Sequence, residues 1–125
     1  MQNDAINDYR DFTKKEIING KIYLTAGTSG PHNDVVGNLT TIFKNFLKGK
    51  ICKVYGEGMN VYFDENNPKV MPDLKIVCDR SKIHHSRING APDFIIEILS
   101  PSTRKRDMGE KKIYMKSTEF LNIGW

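Results

Sequence analysis

The sequence predicts an α/β fold in which a central mixed β-sheet is flanked by helices, in the order β-β-α-β-β-β-β-α. One long amphipathic helix is indicated by apolar residues at spacings of three and four over residues 32–47. Residues 72–78 and 92–100 each begin with Pro-Asp and continue into apolar, largely β-branched residues, as buried strands do. Asn19-Gly20 lies between two runs of β-formers, which indicates a hairpin because both residues accept a positive φ.

The other elements follow from their turn and cap signals. Ser29 or Asn33 is placed to cap the long helix, and Gly49 closes it. Pro101 ends the second Pro-Asp strand, because proline cannot donate to a sheet ladder. The predicted strands are 15–18, 21–25, 51–55, 60–63, 73–78 and 91–99, and a last helix is predicted at about 105–116.

Composition predicts a single globular domain over residues 1–125. The chain has a mass of 14.3 kDa, with 38% hydrophobic and 27% charged residues, which are globular rather than disordered values. The formal net charge of +4 is mildly basic. Such a charge suits a nucleic-acid partner, but it is also common on proteins that bind no polyanion.

The cysteines and the N-terminus predict a cytoplasmic protein. Cys52 and Cys78 are the two cysteines, each within an apolar strand pattern and outside any Cys-x-x-Cys spacing. This pattern favours two buried thiols in a reducing compartment and gives no zinc site. No basic and apolar leader begins the sequence, and no apolar stretch is long enough to span a bilayer.

Two carboxylates inside the Pro-Asp strands predict a metal site. Asp73 opens its strand, and alternation puts Asp93 and Glu97 on one face of the other strand. A buried carboxylate is costly unless a positive charge compensates it. If the two strands pair, Asp73 and Glu97 approach within reach of one Mg²⁺ (or Mn²⁺), which prefers a few carboxylate oxygens with water and substrate phosphate.

A lysine is expected beside these acids, to stabilise charge or to assist a water molecule. The second position after Glu97 is Leu99, so the strand itself does not supply one. On the predicted last helix, Lys111 falls within the apolar sector and stands one turn after Asp107. A salt bridge between Glu97 and Lys111 would explain the same residues structurally.

The chain resembles a family of bacterial restriction endonucleases in the PD-(D/E)XK nuclease superfamily. The resemblance rests on Pro72-Asp73, on residues 90–103, and on Arg106-Asp107 with Lys111 four residues further on. The hairpin with Glu16 and Gly20-Lys21-Ile22-Tyr23, and His32 at the head of the long helix, also match. The resemblance implies a restriction-endonuclease-like fold and a Mg²⁺-dependent DNA endonuclease in which metal-activated water hydrolyses a phosphodiester.

By this resemblance Asp73 is the first acid and Glu97 the second, and together they hold the metal. Lys111 takes the place of the superfamily's lysine and completes the catalytic set. The basic cluster Arg104, Lys105 and Arg106 follows the strand of Glu97 and is expected to touch DNA phosphates. Asp93 and His32 are lesser helpers, each with an ordinary alternative as a strand-start or helix-start residue. His84 and His85 read as part of an exposed loop.

The resemblance weakens toward the C-terminus. Residues 117–125 depart from the family pattern, which predicts that the final strands are missing through truncation or a shifted reading frame. A missing strand exposes the edge of the strand that carries Glu97 and favours a homodimer that covers it. Two alternatives therefore stay open: a catalytically inactive nuclease-fold domain that binds DNA or protein, and a fragment that needs a partner to complete its sheet.

Overall fold

The computed structural model describes residues 14–25 and 29–99, together with the backbone of 112–117. In these residues a single long helix packs on a set of short strands. The elements are β1 Lys14–Ile18, β2 Lys21–Thr25, α1 Gly30–Phe46, β3 Lys53–Gly56, β4 Asn60–Tyr62, β5 Leu74–Val77, a 3-10 turn at Arg80–Lys82, β6 Arg87–Asn89, β7 Phe94–Leu99 and β8 Lys112–Ser117.

The described strands form three sheets rather than one. The largest has the order β3-β5-β7-β8, and each neighbouring pair in it is antiparallel. The parallel pairing is confined to β4 and β6, and β1 pairs with β2 as a hairpin. The α/β class is therefore confirmed, while the prediction of one central mixed sheet is wrong. Among the described residues, β4 and β6, of three residues each, pair with each other and not with the large sheet.

Helix α1 lies on one face of the large sheet, as its apolar periodicity predicts. Ser29 caps it, because its hydroxyl accepts a hydrogen bond from the His32 amide at 3.1 Å. Gly49, with φ at 77°, turns the chain out of the helix end. The core on this face joins alternate residues of three strands to the apolar side of the helix: Val54, Leu74, Ile76, Ile96 and Ile98 pack against Val35, Val36, Leu39, Phe43 and Leu47.

The opposite face of the large sheet carries a second apolar cluster. Its buried members are Val61, Val70, Val77 and Ile88, with Ile18, Tyr55, Met59, Phe63 and Ile83 packed around them. Side chains alternate along β5, so Asp73 and Lys75 lie on this second face while Leu74 and Ile76 lie under α1.

The β1–β2 hairpin forms as its Asn-Gly turn predicts, with φ of 53° at Asn19 and 77° at Gly20. Backbone amides of the hairpin donate three hydrogen bonds to the loop before β5. The Ile17 amide donates to the Lys69 carbonyl at 2.7 Å and the Gly20 amide to the Asn66 carbonyl at 2.8 Å. The Asn19 amide donates to Oδ1 of the buried Asn67 at 2.8 Å.

The prediction of a last helix over about 105–116 is wrong where the structure tests it. Residues Lys112–Ser117 form β8, paired with β7 from Leu99↔Lys112 to Phe94↔Ser117. The helical periodicity was outweighed because β7 is a long apolar strand whose free edge offers six ladder positions. The expectation that this edge is left uncovered is therefore also wrong. Residues 100–111, which include the start of the predicted helix, lie outside the described residues.

The two cysteines form a disulfide, so the prediction of two free thiols is wrong. Lys53 pairs with Val77, and the residues one step further out on each strand are Cys52 and Cys78. The strand pairing therefore sets the two thiols opposite each other, a proximity that their separation of 26 positions conceals in the sequence. The free-thiol argument for a reducing compartment no longer stands. Separately, no helix in the described part of the chain is long and apolar enough to cross a membrane.

Candidate active site

Asp73 and Glu97 lie opposite each other on neighbouring strands. Leu74 pairs with Ile96, so the antiparallel register sets Asp73 against Glu97 one step further out. Two hydrogen bonds connect the positions: the Asp73 amide donates to Glu97 Oε1 at 3.2 Å, and the Ile98 amide donates to Asp73 Oδ2 at 2.8 Å. The two carboxyl groups that sequence analysis selected therefore belong to one small, largely buried cluster.

Burial makes the second acid hard to ionise. It raises the pKa of Glu97 from 4.5 to about 7, and the negative charge of Asp73 adds to the increase. The Lys14 ammonium and the hydrogen bond from the Asp73 amide act in the opposite direction, but they do not cancel the effect of burial. Near neutral pH the Glu97 carboxyl is therefore ionised only in part.

Lys14, at the start of β1, brings a cation to this cluster. Its Nζ lies 3.3 Å from Glu57 Oε2 and 4.0 Å from Asp73 Oδ1, and its side chain is 12% exposed. Burial alone would lower the pKa of Lys14, but the charges of Glu16, Glu97, Glu57 and Asp73 together outweigh burial and raise it. Lys14 is therefore held in its charged form among carboxylates.

His32 contacts the same Asp73 oxygen as Lys14, Oδ1. Its Nε2 lies 3.3 Å from Asp73 Oδ1, and it stands in the first turn of α1. The Ser29 cap fixes that turn, so the helix start directs His32 toward the acid pair. Oδ1 thus faces His32 and Lys14, while Oδ2 is held by the Ile98 amide.

Two further charged residues, Lys75 and Glu16, hold the segments that carry the cluster. Lys75 is fully buried, and its Nζ donates to the Gly56 carbonyl at 2.8 Å and to the Met59 carbonyl, which fastens the turn that carries Glu57. Burial lowers the pKa of Lys75 to about 8. Glu16 Oε2 accepts a hydrogen bond from the Met71 amide at 2.7 Å and so holds the segment that leads into Asp73.

The donor set suits Mg²⁺ in its chemistry. In the described residues no three side chains of His, Cys, Asp or Glu come together as a complete metal cage. Mg²⁺ is usually bound by one or two carboxylates and keeps its remaining positions for water and substrate phosphate. Asp73 and Glu97 supply two carboxylates of this kind.

The family model described as "Uma2: Putative restriction endonuclease" matches residues 6–118. The chain belongs to the Uma2 family. Two curated proteins of Synechocystis sp. are similar to it: "Uncharacterized protein slr1290", 29% identical over 82% of this chain and 54% of its own length, and "Uncharacterized protein sll1609", 25% identical over 78% and 56%. The chain thus spans about half the length of the curated relatives it matches.

A solved structure shares the fold of this Uma2 chain. It is titled a "putative nuclease belonging to DUF820" from Anabaena variabilis, with a TM-score of 0.57 and 24% identity over 76% of this chain and 56% of that one. The Uma2 match confirms the predicted resemblance to a family of restriction endonucleases, and with this neighbour it confirms the restriction-endonuclease-like fold. The family description makes nuclease the functional class that the comparisons support.

The structure separates the other predicted residues from the acid pair. Asp93 lies at the opposite end of β7 from Glu97, where its Oδ2 accepts a hydrogen bond from the Cys78 amide at 2.6 Å, so its contact is structural. His84 and His85 are exposed in the loop before β6. Lys111 and the basic cluster Arg104, Lys105 and Arg106 lie outside the described residues, and their roles stay predictions.

Sequence analysis missed Lys14, Glu57 and Lys75. Lys75 carried a usable signal, because a lysine two positions after Asp73 inside an apolar strand shares the face of that acid. Glu57 lies between two glycines and looks like part of an exposed turn. Lys14 reaches the site only because the hairpin docks on residues 66–69, more than forty positions away, and no local pattern indicates this.

Proposed function

We propose that this chain is the catalytic part of a Mg²⁺-dependent DNA endonuclease. One observation carries the proposal: the register of β5 and β7 sets the buried carboxylate of Asp73 opposite the half-buried carboxylate of Glu97, whose pKa is raised to about 7. Membership of Uma2 supports the nuclease class, and the mildly basic charge suits DNA. Asp73 and Glu97 would hold the ion, with Mn²⁺ as the alternative metal.

The ion would supply Lewis-acid stabilisation of the charge that develops at a phosphodiester. The chain's own residues hold the site in shape for it. The Ile98 amide fixes Asp73 Oδ2, and the Asp73 amide fixes Glu97 Oε1, so neither carboxylate is free to rotate away. His32 orients Asp73 from the side of α1.

Lys14 is the described lysine best placed to act on a substrate. Its ammonium lies at the acid pair and keeps partial access to solvent, whereas the Lys75 ammonium is buried and bonded to backbone carbonyls. We assign Lys14 the role of holding a phosphate oxygen by charge. Lys111, predicted from the sequence to assist the attacking water, lies outside the described residues and stays a prediction.

A plasmid-cleavage assay tests the proposal. The wild-type chain, Glu97→Gln and Glu65→Gln are compared with and without Mg²⁺, Glu65 being an exposed glutamate in the turn before β5. We expect Mg²⁺-dependent cleavage by the wild type and by Glu65→Gln, and a loss of at least about a hundredfold in Glu97→Gln. Equal cleavage by all three proteins contradicts the proposal.

A second candidate function is a nuclease-fold domain that binds DNA or protein without cutting. The observation that favours it is that Lys14 and His32 already occupy the neighbourhood of Asp73 Oδ1, where an ion would have to enter. Binding of DNA with no cleavage at any Mg²⁺ concentration would support it. A homodimer and a cytoplasmic location also stay predictions, and the pairing of β8 with β7 removes the exposed-edge argument for dimerisation.

A further inference from the structure

A basic cleft lies at the C-terminal end of α1, away from the acid pair. It has a volume of about 240 Å³ and is lined by Lys44, Leu47, Gly49, Lys50, Cys52, Lys53, Val54 and Arg80. Half of these residues are cationic and none is acidic. Among the described residues no ion pair involves any of the four cations. We call this site the basic cleft.

The backbone holds the walls of the basic cleft in place. The Arg80 Nε donates to the Ile51 carbonyl at 3.2 Å, which leaves the remaining guanidinium donors available. The Lys50 ammonium lies 5.2 Å from the centre of the Phe46 ring, a cation–π distance. The Cys52–Cys78 disulfide ties the ends of β3 and β5 together at this point. Arg80 and Lys50 are therefore each held by a contact at the cleft.

The charge of the basic cleft is not neutralised by the helix that forms one of its walls. The C-terminus of a helix is equivalent to roughly half a negative charge. Four side-chain cations exceed this several times, so the cleft keeps a strong positive potential. A space of this size admits a phosphate group together with water, since one water takes about 30 Å³ in the liquid. Because four of the lining side chains are cationic and none is acidic, the cleft favours an anionic ligand.

The position of the cleft favours a phosphate within a nucleic acid. His32, in the first turn of α1, contacts Asp73, and Lys44 lines the cleft near the end of the same helix. At 1.5 Å per residue, the cleft therefore lies about 18 Å from the acid pair along α1. Each strand of a duplex carries a phosphate every 3.4 Å of axis, so this length corresponds to roughly five nucleotides.

We propose that the basic cleft binds a backbone phosphate of a nucleic acid at a distance from the phosphodiester held at the acid pair. The inference rests on the proposed nuclease function for its choice of ligand. Lys50 and Lys53 supply charge from the turn and from the edge strand, Lys44 supplies it from the helix, and Arg80 supplies a fork of donors. These contacts position the nucleic acid and carry no preference for base sequence.

The test measures binding separately from cleavage. A fluorescently labelled DNA duplex of about 20 base pairs is titrated by anisotropy, in EDTA and over a range of salt, with Glu97→Gln as the background protein. Lys50→Glu and Lys53→Glu are compared with Lys21→Glu, an exposed strand lysine on the hairpin that gives the same change in net charge. We expect the two cleft variants to weaken binding about tenfold at low salt and to reduce the salt slope by about one, and Lys21→Glu to do neither.

The outcomes distinguish binding at the basic cleft from a general effect of net charge. They also distinguish failure of this inference from failure of the nuclease proposal. Equal weakening by Lys21→Glu, or no weakening by either cleft variant, overturns the inference, as does a lack of duplex binding by the parent protein. Inorganic phosphate is titrated in parallel while the backbone amides of Lys50 and Lys53 are followed by NMR. Phosphate binding without any effect of the cleft variants on duplex binding would identify a small-anion site and overturn the nucleic-acid assignment. Failure of Glu97→Gln to abolish cleavage would contradict the proposed function and leave this result unaffected.

Discussion

The backbone amide of Asp73 donates to the side chain of Glu97 at 3.2 Å, and the amide of Ile98 donates to the side chain of Asp73 at 2.8 Å. Each acid is thus held by the strand that carries the other. This reciprocal arrangement fixes both carboxylates without any metal, while burial leaves Glu97 with a pKa raised to about 7. The arrangement makes the stability of the chain depend on pH in a specific window.

We expect the stability contributed by Glu97 to be lost as pH rises. Its pKa is raised from 4.5 to about 7, so the folded chain binds this proton more tightly than the unfolded chain does. The contribution is complete below the unfolded value and disappears as pH passes the folded value. Between about pH 4.5 and pH 8 the free energy of unfolding should fall by on the order of 2–3 kcal/mol relative to Glu97→Gln, whose amide oxygen still accepts the Asp73 hydrogen bond. Urea denaturation of both proteins across this pH range measures the difference between their free energies of unfolding. A difference that does not change with pH contradicts the prediction.

Mg²⁺ should stabilise the wild-type chain more at pH 8 than at pH 6, because binding requires Glu97 to release its proton. At a concentration of about one hundred times its Kd, the ion adds roughly 2.7 kcal/mol to the free energy of unfolding. Thermal unfolding with and without Mg²⁺ measures the effect, which Asp73→Asn and Glu97→Gln should abolish and Glu65→Gln should keep. An equal gain in all four proteins would place the ion elsewhere.

Replacing Lys14 should move the pH dependence of cleavage to higher pH. The Lys14 ammonium favours the ionised form of Glu97, so Lys14→Met leaves that carboxyl protonated over a wider range. Lys15→Met is the matched control, because Lys15 is the exposed neighbour on the other side of β1. The acid limb of the rate profile is measured for both variants. An unchanged limb in Lys14→Met would show that Lys14 does not act on Glu97.

The disulfide should contribute to the stability of the sheet. Closing a loop of this length is worth about 2–4 kcal/mol in the chain-entropy model. We expect Cys52→Ser, and reduction of the wild type, to lower the free energy of unfolding by that amount in urea. The double variant Cys52→Ser/Cys78→Ser should be insensitive to reductant. A wild-type chain whose urea transition does not respond to a strong reductant would contradict the prediction.

Asn67 should be necessary for docking of the hairpin. It is buried, its Nδ2 donates to Asp64 Oδ1 at 2.9 Å, and its Oδ1 accepts from the Asn19 amide at 2.8 Å. Asn67→Ala removes this buried acceptor and should cost about 1–3 kcal/mol. The exposed neighbour Asn66 contacts the hairpin through its backbone carbonyl, so Asn66→Ala is the control. Hydrogen exchange at the β1 and β2 amides should accelerate in the first variant only.

The sequence was informative wherever a local rule applied. The Asn19-Gly20 turn, the helix cap at Ser29 and the two Pro-Asp strands each depend on a few adjacent residues, and the structure places all of them as predicted. The sequence predicts that Asp73 and Glu97 meet if their two strands pair. Strands β5 and β7 do pair, and their register sets Asp73 opposite Glu97.

Features that depend on distant partners were missed or wrong. The disulfide needs the register of β3 against β5, and β8 needs the free edge of β7, so no window of the sequence contains either cause. Lys14 reaches the acid pair through a hairpin that docks on a loop some fifty positions later. The division of the strands into three sheets likewise reflects which short strands find partners, which propensity does not decide.

The arrangement of β5 makes the whole site sensitive to a single-step error in alignment. Successive side chains of a strand point to opposite faces of the sheet. If β5 shifted by one residue against β7, Asp73 would therefore lie under α1, and Leu74 would take its place beside Lys14. The Cys52–Cys78 crosslink and the Asp93 bond to the Cys78 amide both pin β5 at its far end. These contacts are far from the acid pair, yet they stabilise the register in which Asp73 lies opposite Glu97.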